Sequence, residues 1–228
     1  MPMRKLFYTL LFTLCLPACV QAVVPDMKFR RLDTRDGLSN SQVNCVFRDS
    51  RGFVWIGTAY GLDRYDGYRF KTYYSNRLGS TSMRDNYTDQ IFEAYDGKLW
   101  LKQGMNYCIY DPVTEKFERN IGRELAKYGI QGGVERLYID SKKCFWVKLY
   151  DKGFVYYDPV HKKTSTIDLG YEPYQFNPTY GVSWMGDHDG MLLVTTYNGE
   201  LICLNGHRGV VEWEDKWMRQ NGGMEGQE

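Results

Sequence analysis

The feature that most limits how this chain can fold is an internal repeat. Its units are anchored at Trp55, Trp100 and Trp146, and at Leu193 where the Trp is lost, so successive steps are 45, 46 and 47 residues. A turn signal precedes each anchor: Asp49-Ser50-Arg51-Gly52, Tyr95-Asp96-Gly97, Asp140-Ser141-Lys142-Lys143 and His188-Asp189-Gly190. An Asp or Asn closes each unit 11 or 12 residues after the anchor, at Asp66, Asp111, Asp158 and Asn205. Short apolar runs bounded by such turn residues read as strands. Four strands per unit at this period is the spacing of a β-propeller blade, roughly 40 to 50 residues. The sequence therefore predicts an all-β chain of four four-stranded blades.

In the first unit the strands fall at Gln42 to Phe47, Phe53 to Gly57, Leu62 to Tyr65 and, outermost, Arg69 to Tyr74. The later outer strands are expected at Lys116 to Ile121, Lys163 to Leu169 and Gly209 to Trp213. Blades then occupy residues 28–74 (with a leading strand, Lys28 to Leu32), 83–121, 131–169 and 180–213, ahead of a polar tail at 214–228. Propellers commonly close by lending a strand from one end of the chain to the blade at the other. The leading strand resembles the outer strands, but the fourth unit already has its own. The chain thus reads as the first four blades of an incomplete, seven-bladed ring, a truncated product or fragment, with a complete four-bladed protein as the alternative.

Gly37-Leu38-Ser39-Asn40 with Val43, then Asp49 to Thr58, then Gly61-Leu62-Asp63-Arg64-Tyr65-Asp66-Gly67, closely resembles the first blade of the two-component regulator propellers. Those form periplasmic sensor regions of hybrid two-component systems, best known in gut Bacteroidetes. The resemblance extends over residues 28 to 213, although later units lose the Gly-Thr after the Trp. It implies a non-enzymatic module that senses oligosaccharides, dimeric in full-length relatives. It also implies further blades, a membrane helix, a histidine kinase, receiver modules and a helix-turn-helix domain, which these residues do not contain.

Met1 to Ala22 reads as an export signal: Arg4 and Lys5, an apolar run from Leu6 to Leu16, and a small-residue cleavage site at Val20-Gln21-Ala22. That run is short for a membrane helix, which needs roughly 17 to 25 residues. Leu16-Pro17-Ala18-Cys19 is a poorer lipoprotein box that would place lipid on Cys19. Either route leads to the periplasm. A net charge of +1 argues against a nucleic-acid surface. Beyond the signal lie Cys45, Cys108, Cys144 and Cys203, one per blade and without a Cys-x-x-Cys pair, so buried free thiols are expected.

Little in the chain suggests catalysis. His161, His188 and His207 are scattered and read as solvated loop residues, and no metal or cofactor motif is present. Gly181 to Gly186 lacks the second Gly of a nucleophile elbow around Ser183. Asp63, Asp66, Asp187 and Asp189 fit turns better than a calcium loop. Trp55, Trp100 and Trp146 are expected to pack against neighbouring blades. The candidate ligand-binding set lies in the turns after the Trp strands, where Tyr60, Tyr150 and Tyr197 recur with Asn106 near that place in the second unit, flanked by Asp151 and Asn198. Tyr rings offer apolar area with a polar tip, suited to stacking on a sugar. The competing reading is a secreted propeller lyase or glycoside-acting enzyme, which would need two carboxyl groups facing each other about 5 to 10 Å apart.

Overall fold

Four meanders of antiparallel strands build the chain, as seen in a computed structural model. Residues 29–76, 79, 81–150, 153–167, 182–197 and 199–215 are described here. Residues Leu32–Glu228 form one compact unit, separate from Met1–Arg31. Blade one comprises β1 (Val43–Arg48), β2 (Val54–Thr58), β3 (Gly61–Tyr65) and β4 (Phe70–Tyr73). Blade two comprises β5 (Gln90–Glu93), β6 (Leu99–Gln103), β7 (Asn106–Asp111) and β8 (Lys116–Glu118). In blade three lie β9 (Val134–Ile139), β10 (Phe145–Leu149), β11 (Phe154–Asp158) and β12 (Lys163–Ile167). Blade four holds β13 (Val182–His188), β14 (Met191–Thr196), β15 (Leu201–Asn205) and β16 (Val210–Asp215). Every sheet is ordered as its strands run in sequence, the up-and-down meander of a propeller blade.

The turns follow the repeat. Between first and second strands, Gly52, Gly97 and Gly190 take positive φ. In blade three Lys143 occupies that place at φ 67°, a conformation that costs a residue with a Cβ about 1 kcal/mol or more. Its side chain compensates by reaching Glu93 of blade two. Between third and fourth strands the closing residue caps the turn. Asp66 Oδ1 accepts from the Tyr68 and Arg69 N–H groups, Asp111 Oδ1 from Val113 and Thr114, Asp158 Oδ1 from Val160 and His161, and Asn205 Oδ1 from Arg208. The constant spacing of these residues from the anchor is therefore the length of one hairpin.

Three expected elements differ. Phe29 to Leu32 lie outside any strand, with Phe29 exposed, because a strand without a ladder partner leaves its backbone groups to water. The outer strand of blade two stops at Glu118 instead of Ile121. Asn120 Oδ1 accepts the Arg123 N–H and starts a short helix, α1 (Ile121–Ala126), whose Leu125 joins the core. Blade four's last strand runs on to Asp215, into what reads as tail. The export signal, Cys19 and most of the tail lie outside the described residues.

The core sits between the sheets. Trp55, together with Leu62, packs with Leu99, Leu101, Cys108 and Tyr110 of blade two. Trp100 packs with Leu137, Phe145, Val147 and Val155 of blade three, and Trp146 with Leu192, Val194, Ile202 and Leu204 of blade four. All three indoles are essentially fully buried. Each such side chain stabilises the fold by about 1.5 to 3 kcal/mol through transfer from water. Of the thiols, Cys108, Cys144 and Cys203 are buried, Cys45 is half-buried and all four are free; burial raises Cys45, Cys108 and Cys144 to about 11, so they stay protonated and inert.

Candidate functional site

Two polar systems join the sheets, one at each end of the strands. The first surrounds the turns that precede the anchors. Asp49 Oδ2 accepts the Trp55 indole N–H at 2.9 Å while its Oδ1 accepts the Arg51 and Phe53 N–H groups. Asp140 repeats this with Trp146 at 2.8 Å and with Lys142 and Cys144. Burial pushes the Asp140 carboxyl above its ordinary range, although the indole and the turn N–H groups pull it down. The following Ser reaches the next blade. Ser50 gives its N–H and hydroxyl to Glu93 of blade two, and Ser141 gives its hydroxyl to Asp187 of blade four at 2.5 Å, where Tyr138 also donates. Lys143, the residue with positive φ, donates to Glu93 at 2.8 Å.

The second system lies at the opposite strand ends, where the tyrosine turns emerge. Tyr60 is 59% exposed, its ring 5.9 Å from Tyr74. The turn beneath it is tight, since a Cβ at Gly61 would lie 2.7 Å from the Ser39 hydroxyl and φ is +129°. Tyr150 is 51% exposed; its N–H donates to the Gly133 carbonyl and its ring lies against Gly133. Tyr197 is 62% exposed, and its hydroxyl accepts from Arg136 of blade three at 3.0 Å. Asn106 is exposed but is the first residue of β7, paired with Gln103; Met105, 83% exposed, occupies the tip of that turn. Asp151 and Asn198 lie outside the described residues.

Around these rings lie polar groups that the sequence gives no means of pairing. Within blade two, Lys102 donates to Asp89 at 2.5 Å. Arg136 donates through Nε to the Val182 carbonyl, while Glu135 accepts the Val182 N–H and stands 3.6 Å from Lys148. Asn44 donates to the Thr88 carbonyl, tying blade one to blade two. The carboxylate system at the other end did leave a signal. An Asp stands six residues before each anchor in units one, three and four, and Ala94 replaces it in unit two.

The residues weighed for catalysis are bonded otherwise. Ser183 donates to the Thr195 carbonyl within blade four. His161 Nδ1 lies 2.6 Å from Asp158, and His207 contacts both Tyr156 and Asp158, so these two histidines are partnered around one carboxylate instead of merely solvated. Among the described residues no group of three His, Cys, Asp or Glu is placed to hold a metal ion. No helix among them is long and apolar enough to cross a membrane.

Residues 37–60, from the Gly-Leu-Ser strap to Tyr60, match the family described as two component regulator propeller. That match falls within blade one. A 77-residue stretch is 36% identical to histidine kinase P4 of Formosa agariphila, covering 34% of this chain and 6% of that protein. The four blades superpose on the extracellular domain described for a hybrid two component system of B. thetaiotaomicron with a TM-score of 0.57, at 24% identity over 80% of this chain and 26% of that one. That likeness establishes the propeller fold. The repeat-bearing chain therefore spans a small part of either relative's length.

Proposed function

We propose that this propeller is an extracytoplasmic ligand-sensing module of a two-component system and that its ligands are oligosaccharides. The observation that carries the reading is the recurrence of exposed Tyr60, Tyr150 and Tyr197 in equivalent turns, on the strand ends where Arg136, Asp89 and Glu135 supply hydrogen-bonding groups. Flat rings beside fixed donors and acceptors suit a ligand that is apolar on its faces and hydroxylated at its rim. Similarity to an extracellular sensor domain supports the same reading, as does the export signal read in Met1 to Ala22. Signalling would require the ligand to favour one of two arrangements of the sensor, by no more than its differential affinity for them.

Titration calorimetry of the full chain against a panel of plant and host-glycan oligosaccharides tests this. At least one should bind, and Tyr60→Ala, Tyr150→Ala and Tyr197→Ala should each weaken it by about tenfold, the worth of one stacking contact. Binding that none of the three changes would move the site elsewhere, and an empty panel would defeat the oligosaccharide reading.

A further inference from the structure

The register of the repeat sets three side chains of different chemistry at one level of the first strands. Gln90 pairs with Lys102, Arg136 with Lys148 and Trp184 with Thr195, and each of those partners stands two residues beyond its blade's anchor position, Trp100, Trp146 or Leu193. β5, β9 and β13, which carry the three, belong to consecutive blades and are neighbours in the fold. One groove runs along them, lined by Gln90, Arg136 and Trp184 together with Val182, Ser183 and Met185. An amide, a guanidinium and an indole thus share a groove at the end of the sheets where Tyr197 emerges, since Arg136 reaches the Tyr197 hydroxyl.

Arg136 sets the character of that groove. Half-buried, it donates through Nε to the Val182 carbonyl and through Nη2 to the Tyr197 hydroxyl, both uncharged acceptors, and it enters no ion pair among the described residues. These bonds use two of the five N–H groups of a guanidinium, which leaves three. The other cations nearby are answered: Lys102 lies 2.5 Å from Asp89, and Lys148 lies 3.6 Å from Glu135. One positive charge is therefore left over at the groove. Gln90 is exposed, Trp184 is 53% exposed, and Tyr197 keeps its own hydroxyl proton after accepting from Arg136. Partial burial lowers the local dielectric and strengthens the pull of that charge on an anion, and the planar fork of Arg holds a carboxylate or sulfate through paired bonds.

We propose that this groove is an anion subsite, in which Arg136 binds the carboxylate or sulfate of an acidic sugar unit while Gln90 and Tyr197 bond its hydroxyls and Trp184 stacks on its ring. The inference rests on the oligosaccharide reading above and adds to it the sign of the ligand's charge. Arg136 then discriminates between ligands. A neutral sugar gains an ordinary hydrogen bond there, and an acidic one gains a pair of bonds in which both partners are charged, each about twice as strong.

Titration calorimetry of the full chain tests this with two matched pairs of probes: a uronic acid tetrasaccharide and its carboxyl-reduced neutral form, and a sulfated tetrasaccharide and its desulfated form. In at least one pair the acidic member should bind about tenfold more tightly or better, and the pair that shows it tells carboxylate from sulfate. Arg136→Gln should shrink that advantage to within about twofold, whereas Arg136→Lys, which restores the charge without the fork, should keep part of it. Trp184→Ala should weaken both members of the pair by the same factor, because the ring meets the sugar and not its charge. Neutral members that bind as tightly as the acidic ones overturn the anion subsite and leave the oligosaccharide reading standing. An acidic advantage that survives Arg136→Gln, in a chain whose circular dichroism is that of the parent, does the same. The comparison within each pair needs no variant, so it decides even where Arg136→Gln fails to fold. Four probes that all fail to bind overturn the subsite and the oligosaccharide reading together.

Discussion

The second strands of blades two and one make the sharpest contrast in the molecule. In β6 all five residues from Leu99 to Gln103 are buried, whereas in β2 burial alternates, with Trp55 and Gly57 covered and Val54 and Ile56 partly open. Blade four mirrors this: Leu192, Val194 and Thr196 are buried and Met191, Leu193 and Thr195 are not. The difference is one of neighbours. A strand with sheets on both sides is buried along its length, and one with a single neighbour is buried at every second residue. Residue identity follows suit, because the anchor stays Trp where a blade receives it and becomes Leu193 where no described blade does.

Removing an anchor should break the contrast most severely. Trp146→Ala, between blades three and four, should cost about 3 to 5 kcal/mol in a urea melt, since it leaves a large cavity and strips a buried carboxylate of its partner. Leu193→Ala at the equivalent place should cost less than about 2 kcal/mol at low protein concentration. Equal losses would mean that blade four's outer face is as well covered as the inner ones.

Asp140→Ala comes next, with an expected loss of about 2 kcal/mol, because the Trp146 indole and two turn N–H groups lose their acceptor. Asp140→Asn, which keeps an acceptor, should recover most of it. Blade two sets the comparison, since Ala94 stands at this place and its anchor does without the carboxylate. Should Asp140→Ala prove neutral, the carboxylate would be dispensable in blade three as well.

Much of this fold was legible because the repeat states it several times over. The anchor spacing located the sheets, and the closing Asp located each outer hairpin. What stayed hidden falls into two kinds. Asp49 and Asp140 read as turn residues, which they are, but their second oxygens serve an indole six residues on, a use that only the recurrence of that spacing could betray. The pairs that dress the tyrosine end, Arg136 with Tyr197 and Lys102 with Asp89, join residues 61 and 13 apart, and no local pattern fixes such partners. Asn106 stands beside the tip of its turn, which Gly104 and Met105 form.

A smaller effect distinguishes the junctions that are stapled by charge. Burial disfavours the Glu93 carboxylate, but Lys143 and Ser50 outweigh it and hold its pKa below the usual 4.5. A carboxyl with a lowered folded-state pKa adds stability above its unfolded value and loses it as the pH falls through the folded one. At neutral pH, Glu93→Gln should therefore cost about 1 kcal/mol. Thermal melts of parent and variant should converge as the pH drops below 4.5. A gap that persists in acid would assign the loss to packing.

The smallest effect expected is that of Tyr197→Phe, and its smallness is what makes it informative. The hydroxyl accepts one hydrogen bond, from Arg136 at 3.0 Å, on a residue 62% exposed, so water can replace it and stability should change by less than about 0.5 kcal/mol. Arg136 keeps its other bond, to the Val182 carbonyl, and so keeps its place between blades three and four. If the tyrosine end binds a hydroxylated ligand, the same substitution should lower affinity severalfold while leaving the melt unchanged. A measurable fall in melting temperature would instead make this bond part of the blade junction, and the end that looks built for a ligand would share the structural role of the Asp and Trp end.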